Sequence, residues 1–283
     1  MTDTVVARIE RDLVVVSGPD ATSFLQSLLS QDLDPVAVGE AVHALLLEPR
    51  GKLIADLRAA RVADDEWACV CEPGFGGVLA AGLTRFRIRV KVEIEERPVA
   101  ALAVRGPDAH ALAADLDATK VSVDWPGHPG VEVLGSAGAI DDAVHALAEH
   151  GVAEIDALAY DAWRIEAGVP RQGFDIDEST IAQEAYLDRD AVSFTKGCFL
   201  GQELVCRIDT RGHVNRLLRR LRADVLMAPG AGVEVGGKTV GTVTSAAGQV
   251  ALAMLRREVE PASAVLVHSG DGPVTARVES LES

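Results

Sequence analysis

The sequence concentrates its most reactive residue types in one stretch, KGCFLGQELVCR at Lys196–Arg207. Lys196 lies two residues before Cys198, and a cation close to a thiol favours the thiolate and lowers the thiol pKa. Gly197 between them allows a positive φ or the close approach of a ligand. The spacing predicts a redox-active or nucleophilic Cys198 activated by Lys196. A cysteine buried after a turn as a small hydrophobe would have the same sequence.

The residues that follow Cys198 predict a turn and then a helix. Gly201, Gln202 and Glu203 form this turn, and the amide groups at a helix N-terminus favour an anion placed against them. If these amides point at the sulfur of Cys198, they add to the effect of the lysine.

The spacing of the cysteines and histidines does not predict a resident metal. One residue separates Cys69 from Cys71 and seven separate Cys198 from Cys206, whereas structural zinc and ferredoxin sites typically use a two-residue separation. The seven histidines form no HExxH pattern, and none lies near Cys198 in the sequence. The sequence therefore offers no positive support for a Cys–His hydrolase.

The first 210 residues predict an α+β region. A β-branched run at Leu13–Val16 leads through SGPD into a helix with an apolar stripe, and the same order of strand, GPD and helix recurs from Val99. The stretches AVHALLLEP and LIADLRAARV, joined at Pro49–Lys52, predict a hairpin. Period-two alternation predicts a further strand over Arg87–Glu95.

The sequence changes character towards its C-terminus. A helix is predicted over about Asp156–Ala167, and a long loop with four acidic residues follows at Val169–Glu184. Loops of that length are uncommon unless they have a function or are disordered. Short strands separated by Gly and Pro then predict a small β-barrel or sandwich. We place the boundary near Arg211–Asp224, which divides the chain into regions 1–210 and 211–283.

Composition narrows the class of partner. The 283 residues suggest two or three packed units. Acidic residues outnumber basic residues by 43 to 27, for a net charge of -16, which disfavours nucleic acid. No apolar stretch approaches the roughly 20 residues that span a bilayer, and the N-terminus does not resemble a signal peptide. We expect a cytoplasmic protein with no nucleic-acid or membrane partner.

The stretch KGCFLGQELVCR resembles the hallmark of the YgfZ branch of the glycine-cleavage T-protein (GcvT) superfamily. RIEAGVPRQGFDID at Arg164–Asp177 is similar to the superfamily's Arg-x-Glu-x-Gly-x-Pro segment, and the pair Asn215–Arg216 follows the hallmark. The resemblance implies an α+β, T-protein-like three-part ring, in which two intertwined α+β parts precede a C-terminal β-barrel. It also implies folate in a central hole near the cysteine motif.

The resemblance assigns roles to several residues. Glu166 corresponds to a glutamate that hydrogen-bonds the pterin, and a carboxylate matches the adjacent N–H groups of that ring, although a lone helix glutamate is more often simply exposed. Arg207 and Arg216 are expected to meet the glutamate tail of folate or to pair with the acidic loop. The expected folate-binding residues are Asp56, Glu166, Gly197, Gln202, Glu203, Arg207 and Arg216.

The sequence departs from the superfamily pattern at positions that bear on its function, and three functional hypotheses remain. Only Asp56 remains of an acidic pair found in T-proteins, and Cys71 replaces an asparagine, which weakens an aminomethyltransferase interpretation. The favoured function is a tetrahydrofolate-binding accessory protein for iron–sulfur cluster assembly or repair, in which Cys198 performs a redox or transfer step. The alternative is a folate-dependent aminomethyl or methyl transferase with Asp56 as the acid–base residue. The third is a folate sensor or scaffold without chemistry.

Overall fold

The structure is a computed structural model that describes residues 3–270 and 272–281. The description leaves out five residues of the predicted regions 1–210 and 211–283: Met1, Thr2, Asp271, Glu282 and Ser283. The chain forms two compact units. Unit 1 is Met1–Ala157 with Arg189–Gln202, and unit 2 is Leu158–Asp188 with Glu203–Ser283.

Unit 1 contains two five-stranded sheets with helices between their strands. Its elements in chain order are β1 (Val5–Ile9), β2 (Asp12–Ser17), α1 (Ala21–Leu28), β3 (Ala41–Leu47), β4 (Leu53–Ala63), β5 (Glu66–Cys71), α2 (Gly76–Thr84), β6 (Glu93–Arg97), β7 (Ala100–Arg105), α3 (Ala109–Ala113), β8 (Thr119–Ser122), β9 (Gly130–Gly135), α4 (Ala137–Glu149) and β10 (Ala153–Glu154).

The first sheet of unit 1 has the strand order β3-β4-β5-β2-β6 and is antiparallel throughout. Its buried face packs with α1 and α2 around a core of Leu, Val and Ala, with Trp67 fully buried among them. The predicted opening strand–turn–helix unit and the predicted β3–β4 hairpin are both present. The hairpin register places Leu45 opposite Asp56 and His43 opposite Arg58.

The second sheet of unit 1 has the order β10-β1-β7-β9-β8. It repeats the strand–GPD–helix arrangement through β7 and α3, as the sequence predicts. In both copies the turn glycine has a positive φ, at Gly18 and Gly106, and packs against backbone or side-chain atoms of a neighbouring segment. Only glycine fits such a turn without strain.

The strand predicted over Arg87–Glu95 is wrong over its first six residues, because pairing begins only at Glu93. β6 pairs with β2 as far as Ser17 opposite Glu93, where β2 ends. The preceding residues instead pack on the SGPD turn, and the amide of Lys91 donates to the Asp20 carboxylate at 2.7 Å. The alternating pattern therefore extended beyond the partner strand that could pair with it.

Unit 2 contains a closed six-stranded barrel. Its elements are α5 (Ala157–Ala167), whose first residue belongs to unit 1, α6 (Gln202–Arg211), which begins at the last residue of unit 1, and β11 (Arg216–Arg222), β12 (Gly232–Val235), β13 (Lys238–Ala247), β14 (Val250–Arg256), β15 (Ala264–Ser269) and β16 (Gly272–Glu279). The barrel order is β11-β14-β13-β12-β15-β16. The interior is filled by Val, Ala and Leu side chains, which confirms the predicted C-terminal barrel.

Candidate functional site

Residues 189–202 belong to unit 1 and carry Cys198. Lys196 anchors this segment. Its Nζ donates to the carbonyl oxygens of Gln26, Leu29 and Gln31 at 2.8, 2.9 and 2.7 Å, and Gln26 Oε1 lies 3.1 Å away. These carbonyls close the C-terminal end of α1, where a cation is favoured by the helix dipole. Burial lowers the pKa of the ammonium to about 8 against the opposing effect of Asp32 and Asp34.

Further hydrogen bonds attach the start of the same segment to the loop after α1. Ser30 Oγ donates to the Ala191 carbonyl at 2.5 Å, and the Ser193 amide donates to the Ser30 carbonyl at 2.9 Å. Gln31 Nε2 donates to the Asp190 carbonyl at 2.6 Å. The segment that carries the thiol is thus held at Asp190, Ala191 and Ser193, in addition to the contacts of Lys196.

Cys198 is exposed, unlike the other three cysteines, all of which the structure describes. Burial raises the pKa of Cys69 to about 12 and also raises that of Cys71, while burial and Asp209 raise the pKa of the half-buried Cys206. Access therefore favours Cys198 as the thiol that reagents in solution reach first.

The two glycines near Cys198 differ in whether their positions require a glycine. Gly197 does not have a positive φ, and a Cβ there would meet open space. Gly201 has φ +81°, and a Cβ on it would lie 2.5 Å from the Glu48 carbonyl oxygen in the β3–β4 turn. Gly201 therefore sets the path of the chain into α6. The predicted turn and helix after the thiol are confirmed, and the Phe199 amide donates to Gln202 Oε1 at 3.2 Å.

Asp56 lies on β4, where the structure brings it to a histidine that the sequence analysis did not select. His43 Nε2 lies 2.5 Å from Asp56 Oδ1, and His43 Nδ1 lies 2.9 Å from Asp190 Oδ2. The register of the predicted hairpin could have identified His43. Leu45 lies opposite Asp56, and His43 lies two residues before Leu45 on the same face of the sheet, so His43 is diagonally beside Asp56. Asp190 is far away in sequence, and no pattern in the sequence indicates it.

Glu166 lies near the end of α5 in unit 2 and is about half exposed. Its Oε1 accepts from Arg222 Nη2 at 2.6 Å, and Arg222 also donates to Glu279 at 3.0 Å. The side-chain hydrogen bonds to these two carboxylates raise the pKa of Arg222. The expected pterin anchor is therefore an exposed carboxylate that is oriented by a strand arginine of the barrel.

Arg216 pairs with the acidic loop, which is one of its two expected partners. Its guanidinium donates to both carboxylate oxygens of Glu184 at 2.9 and 3.0 Å and to Ser179 Oγ at 2.9 Å. It also lines two open cavities of unit 2. Glu203 and Arg207 are exposed on α6.

The arginine of the RIEAG segment has a structural role that the sequence analysis missed. Arg164 is buried and donates to Asp161 at 2.7 Å, to Asp175 at 2.8 Å and to Ser245 at 3.0 Å. It connects α5, the following loop and β13 of the barrel inside unit 2. The segment's Arg-x-Glu spacing thus combines a buried anchor with an exposed carboxylate at Glu166.

The expected site residues divide between the two units. Asp56, Lys196, Gly197, Cys198 and Gln202 belong to unit 1, and Glu166, Glu203, Arg207 and Arg216 belong to unit 2. Within residues 3–270 and 272–281, no helix is long and apolar enough to cross a membrane.

Comparison with known proteins identifies two domain families. Residues 11–128 match the GCVT N-terminal domain, and residues 216–281 match the CAF17 C-terminal beta-barrel domain. The chain is 30% identical over 271 residues to the iron–sulfur cluster assembly factor IBA57, mitochondrial, of Homo sapiens, covering 88% of this chain and 76% of that protein.

Other relatives carry two different names. An aminomethyltransferase of Herpetosiphon aurantiacus is 28% identical over 226 residues, covering 72% of this chain and 62% of that protein. An IBA57 homologue of Phaeosphaeria nodorum is 29% identical over 225 residues, covering 75% and 53%. The matched region thus spans only about half to three-fifths of these two proteins.

The fold is that of a T-protein. The crystal structure of glycine cleavage system aminomethyltransferase T from Bartonella henselae superposes with a TM-score of 0.84 at 23% identity, covering 98% of this chain and 85% of that one. This match confirms the expected α+β, T-protein-like fold.

Proposed function

The chain belongs to the glycine-cleavage T-protein superfamily and carries a CAF17-type barrel, and from that premise we propose that it binds tetrahydrofolate and serves iron–sulfur cluster assembly or repair through the thiol of Cys198. Relatives named as assembly factors support the iron–sulfur part. The match to the GCVT N-terminal domain and the relatives named as aminomethyltransferases support the folate part, because the resemblance to this superfamily implies folate.

The observation that carries the proposal is the exposed position of Cys198 on an anchored segment. Lys196 and the contacts of Ser30 hold the backbone on the N-terminal side of the thiol, and Gly201 sets the path on its C-terminal side. An anchored backbone presents the sulfur in one place at little entropic cost on binding. A cysteine that served only to fill a core would be buried, as Cys69 is.

The carboxylates of the chain fit a pterin chemically. Glu166 uses Oε1 for its short bond to Arg222, while Oε2 lies 3.4 Å from that guanidinium. A carboxylate has about four lone-pair sites, so Glu166 can keep its arginine and still accept from the N–H groups of a 2-amino-4-oxo ring. Tetrahydrofolate, when bound, supplies a reduced ring whose nitrogens carry one-carbon groups.

The chain's own residues then have separate tasks. Glu166, oriented by Arg222, binds and orients the pterin. Within unit 1, Asp56 is held by His43 and is another residue expected to bind folate. Cys198 reacts as its thiolate, which is the nucleophilic form of a thiol. Arg207, exposed on α6, remains available for the carboxylates of the folate tail, whereas the fork of Arg216 is engaged by Glu184.

A second candidate function is aminomethyl or methyl transfer. The contact of Asp56 with His43 at 2.5 Å favours it, because a carboxylate in contact with a proton-carrying group is suited to acid–base work. An assay for methylene-tetrahydrofolate formation from amine-linked donors separates the two functions, since an assembly factor without turnover forms none.

The proposed function is tested by thiol replacement in cells. The Cys198→Ser variant is expected to lower the activity of cluster-dependent enzymes under oxidant stress, and Cys206→Ser is the matched control in the same motif. Equal activities for both variants and the wild type would remove Cys198 from the function. The folate part is tested with purified protein, where tetrahydrofolate should raise the melting temperature and Glu166→Gln should weaken that effect.

A further inference from the structure

His43 lies between two carboxylates and is buried, with 9% of its surface exposed. One ring nitrogen contacts Asp56 on the adjacent strand at 2.5 Å, and the other contacts Asp190 on the segment that carries Cys198 at 2.9 Å. Asp56 is mostly buried, whereas the Asp190 side chain is exposed. The histidine therefore joins the hairpin to the thiol-bearing segment within unit 1.

The chemistry of the two contacts determines the protonation of the ring. An ionised carboxylate only accepts hydrogen bonds, so two ionised aspartates require an N–H on each ring nitrogen, which is the imidazolium form. Burial and Arg58 lower the pKa of His43, but Asp56 and Asp190 outweigh them and raise it. Burial raises the pKa of Asp190, yet the His43 contact outweighs this effect and lowers it.

The other charged groups near the histidine come from the strands packed against β3. Arg58 is opposite His43 on β4 and opposes its positive charge. Burial raises the pKa of Glu132 on β9, but Arg11, with smaller contributions from Arg105 and Arg58, outweighs burial and lowers it. Lys120 on β8 is turned away, because its ammonium donates to the carbonyls of Ala114 and Leu116. The two aspartates are thus the groups that directly contact the ring.

We propose that His43 is a positioning residue which, as an imidazolium, fixes Asp56 for the folate ligand and ties the Cys198 segment to the hairpin through Asp190. The role of Asp56 towards folate rests on the proposed function, but the clamp itself does not. One proton then controls two parts of the site. When the ring loses that proton, one nitrogen presents a lone pair to a carboxylate, and that contact becomes repulsive.

A purely structural histidine makes a different prediction from a charged clamp. It would tolerate replacement by a residue that fills the same space, and its loss would not alter how ligand affinity depends on pH. A clamp connects the ionisation of one ring to the affinity for tetrahydrofolate and to the reactivity of Cys198. The pH dependence of these two quantities is therefore the decisive measurement.

The first experiment uses nitrogen NMR of the ring in the full-length protein without ligand. At pH 7 we expect both nitrogens of His43 to carry protons, and the ring should titrate above the ordinary range of a histidine. The Asp190→Asn variant, altered at an exposed side chain, should lower the pKa of His43. A neutral His43 at pH 7, or no response to Asp190→Asn, would overturn the proposal.

The second experiment measures tetrahydrofolate affinity and the alkylation rate of Cys198 from pH 6 to 9. In the wild type, affinity should fall as the pH passes the His43 ionisation. His43→Gln should weaken tetrahydrofolate binding by about tenfold at pH 7 and flatten the dependence of affinity on pH. The control His110→Gln should keep the wild-type affinity and its pH dependence. An unchanged pH profile in His43→Gln refutes the positioning role. If the wild type binds no folate, the proposed function fails, and the NMR and alkylation profiles still decide the clamp.

Discussion

Replacing Lys196 by methionine distinguishes an anchor of the chain from an activator of the thiol. The ammonium has three N–H donors and makes charged hydrogen bonds to three carbonyls at 2.7 to 2.9 Å. Such bonds contribute roughly 1.5 to 3 kcal/mol each. The cost of burying the ammonium, which lowers its pKa to about 8, offsets a large part of that sum. We expect Lys196→Met to lower the free energy of unfolding by about 2 to 3 kcal/mol.

Thermal and urea unfolding followed by circular dichroism measure this loss. For a unit of this size the loss corresponds to a melting temperature lower by roughly 5 to 10 °C. Lys238→Met, at an exposed lysine of the barrel, is the matched control and should melt like the wild type. The alkylation rate of Cys198 against pH is measured on the same samples. If Lys196→Met melts unchanged while its alkylation profile moves to higher pH, the lysine acts on the thiol and the anchoring argument is refuted.

Three further predictions concern stability. Arg164→Met leaves the fully buried Asp175 carboxylate without its cation and should destabilise the protein by about 3 to 5 kcal/mol, measured by urea unfolding, with Arg164→Lys intermediate. Gly201→Ala forces a Cβ against the Glu48 carbonyl at positive φ; we expect a loss of about 1 to 3 kcal/mol and faster proteolysis near the thiol. The raised pKa of His43 gives a stabilisation of the folded state that is complete below about pH 6.5 and is lost as the pH rises through the folded pKa. His43→Gln should therefore flatten the dependence of the melting temperature on pH between pH 5 and 9.

Patterns of neighbouring residues in the sequence predicted several helices and strands correctly. The β3–β4 hairpin, α1 and the barrel follow from periodicity and turn residues, and the structure contains all of them. The strand over Arg87–Glu95 failed because pairing depends on the length of β2, which the alternating residues themselves do not encode. A strand pattern therefore predicts which residues can pair, while the partner decides where pairing stops.

In the candidate site too, the sequence indicated the residue types, and the fold decided which residues they contact. The sequence identified Cys198 as a reactive type of residue beside a lysine, but the lysine contacts carbonyls that lie 165 to 170 residues away in the chain. Arg216 was expected at either folate or the acidic loop, and the fold pairs it with Glu184. In both cases the residue type was evident, whereas its partner depended on which distant segment packs beside it.

By itself the sequence determined the superfamily, the order of strands and helices and the position of the motif that carries the thiol, because each is encoded by residues that are near one another in the chain. Only the tertiary structure decided that His43 bridges Asp56 and Asp190, since 147 residues separate the histidine from its second aspartate. Hydrogen bonds act over about 3 Å. Contacts between remote segments are therefore determined by packing, which no local pattern contains.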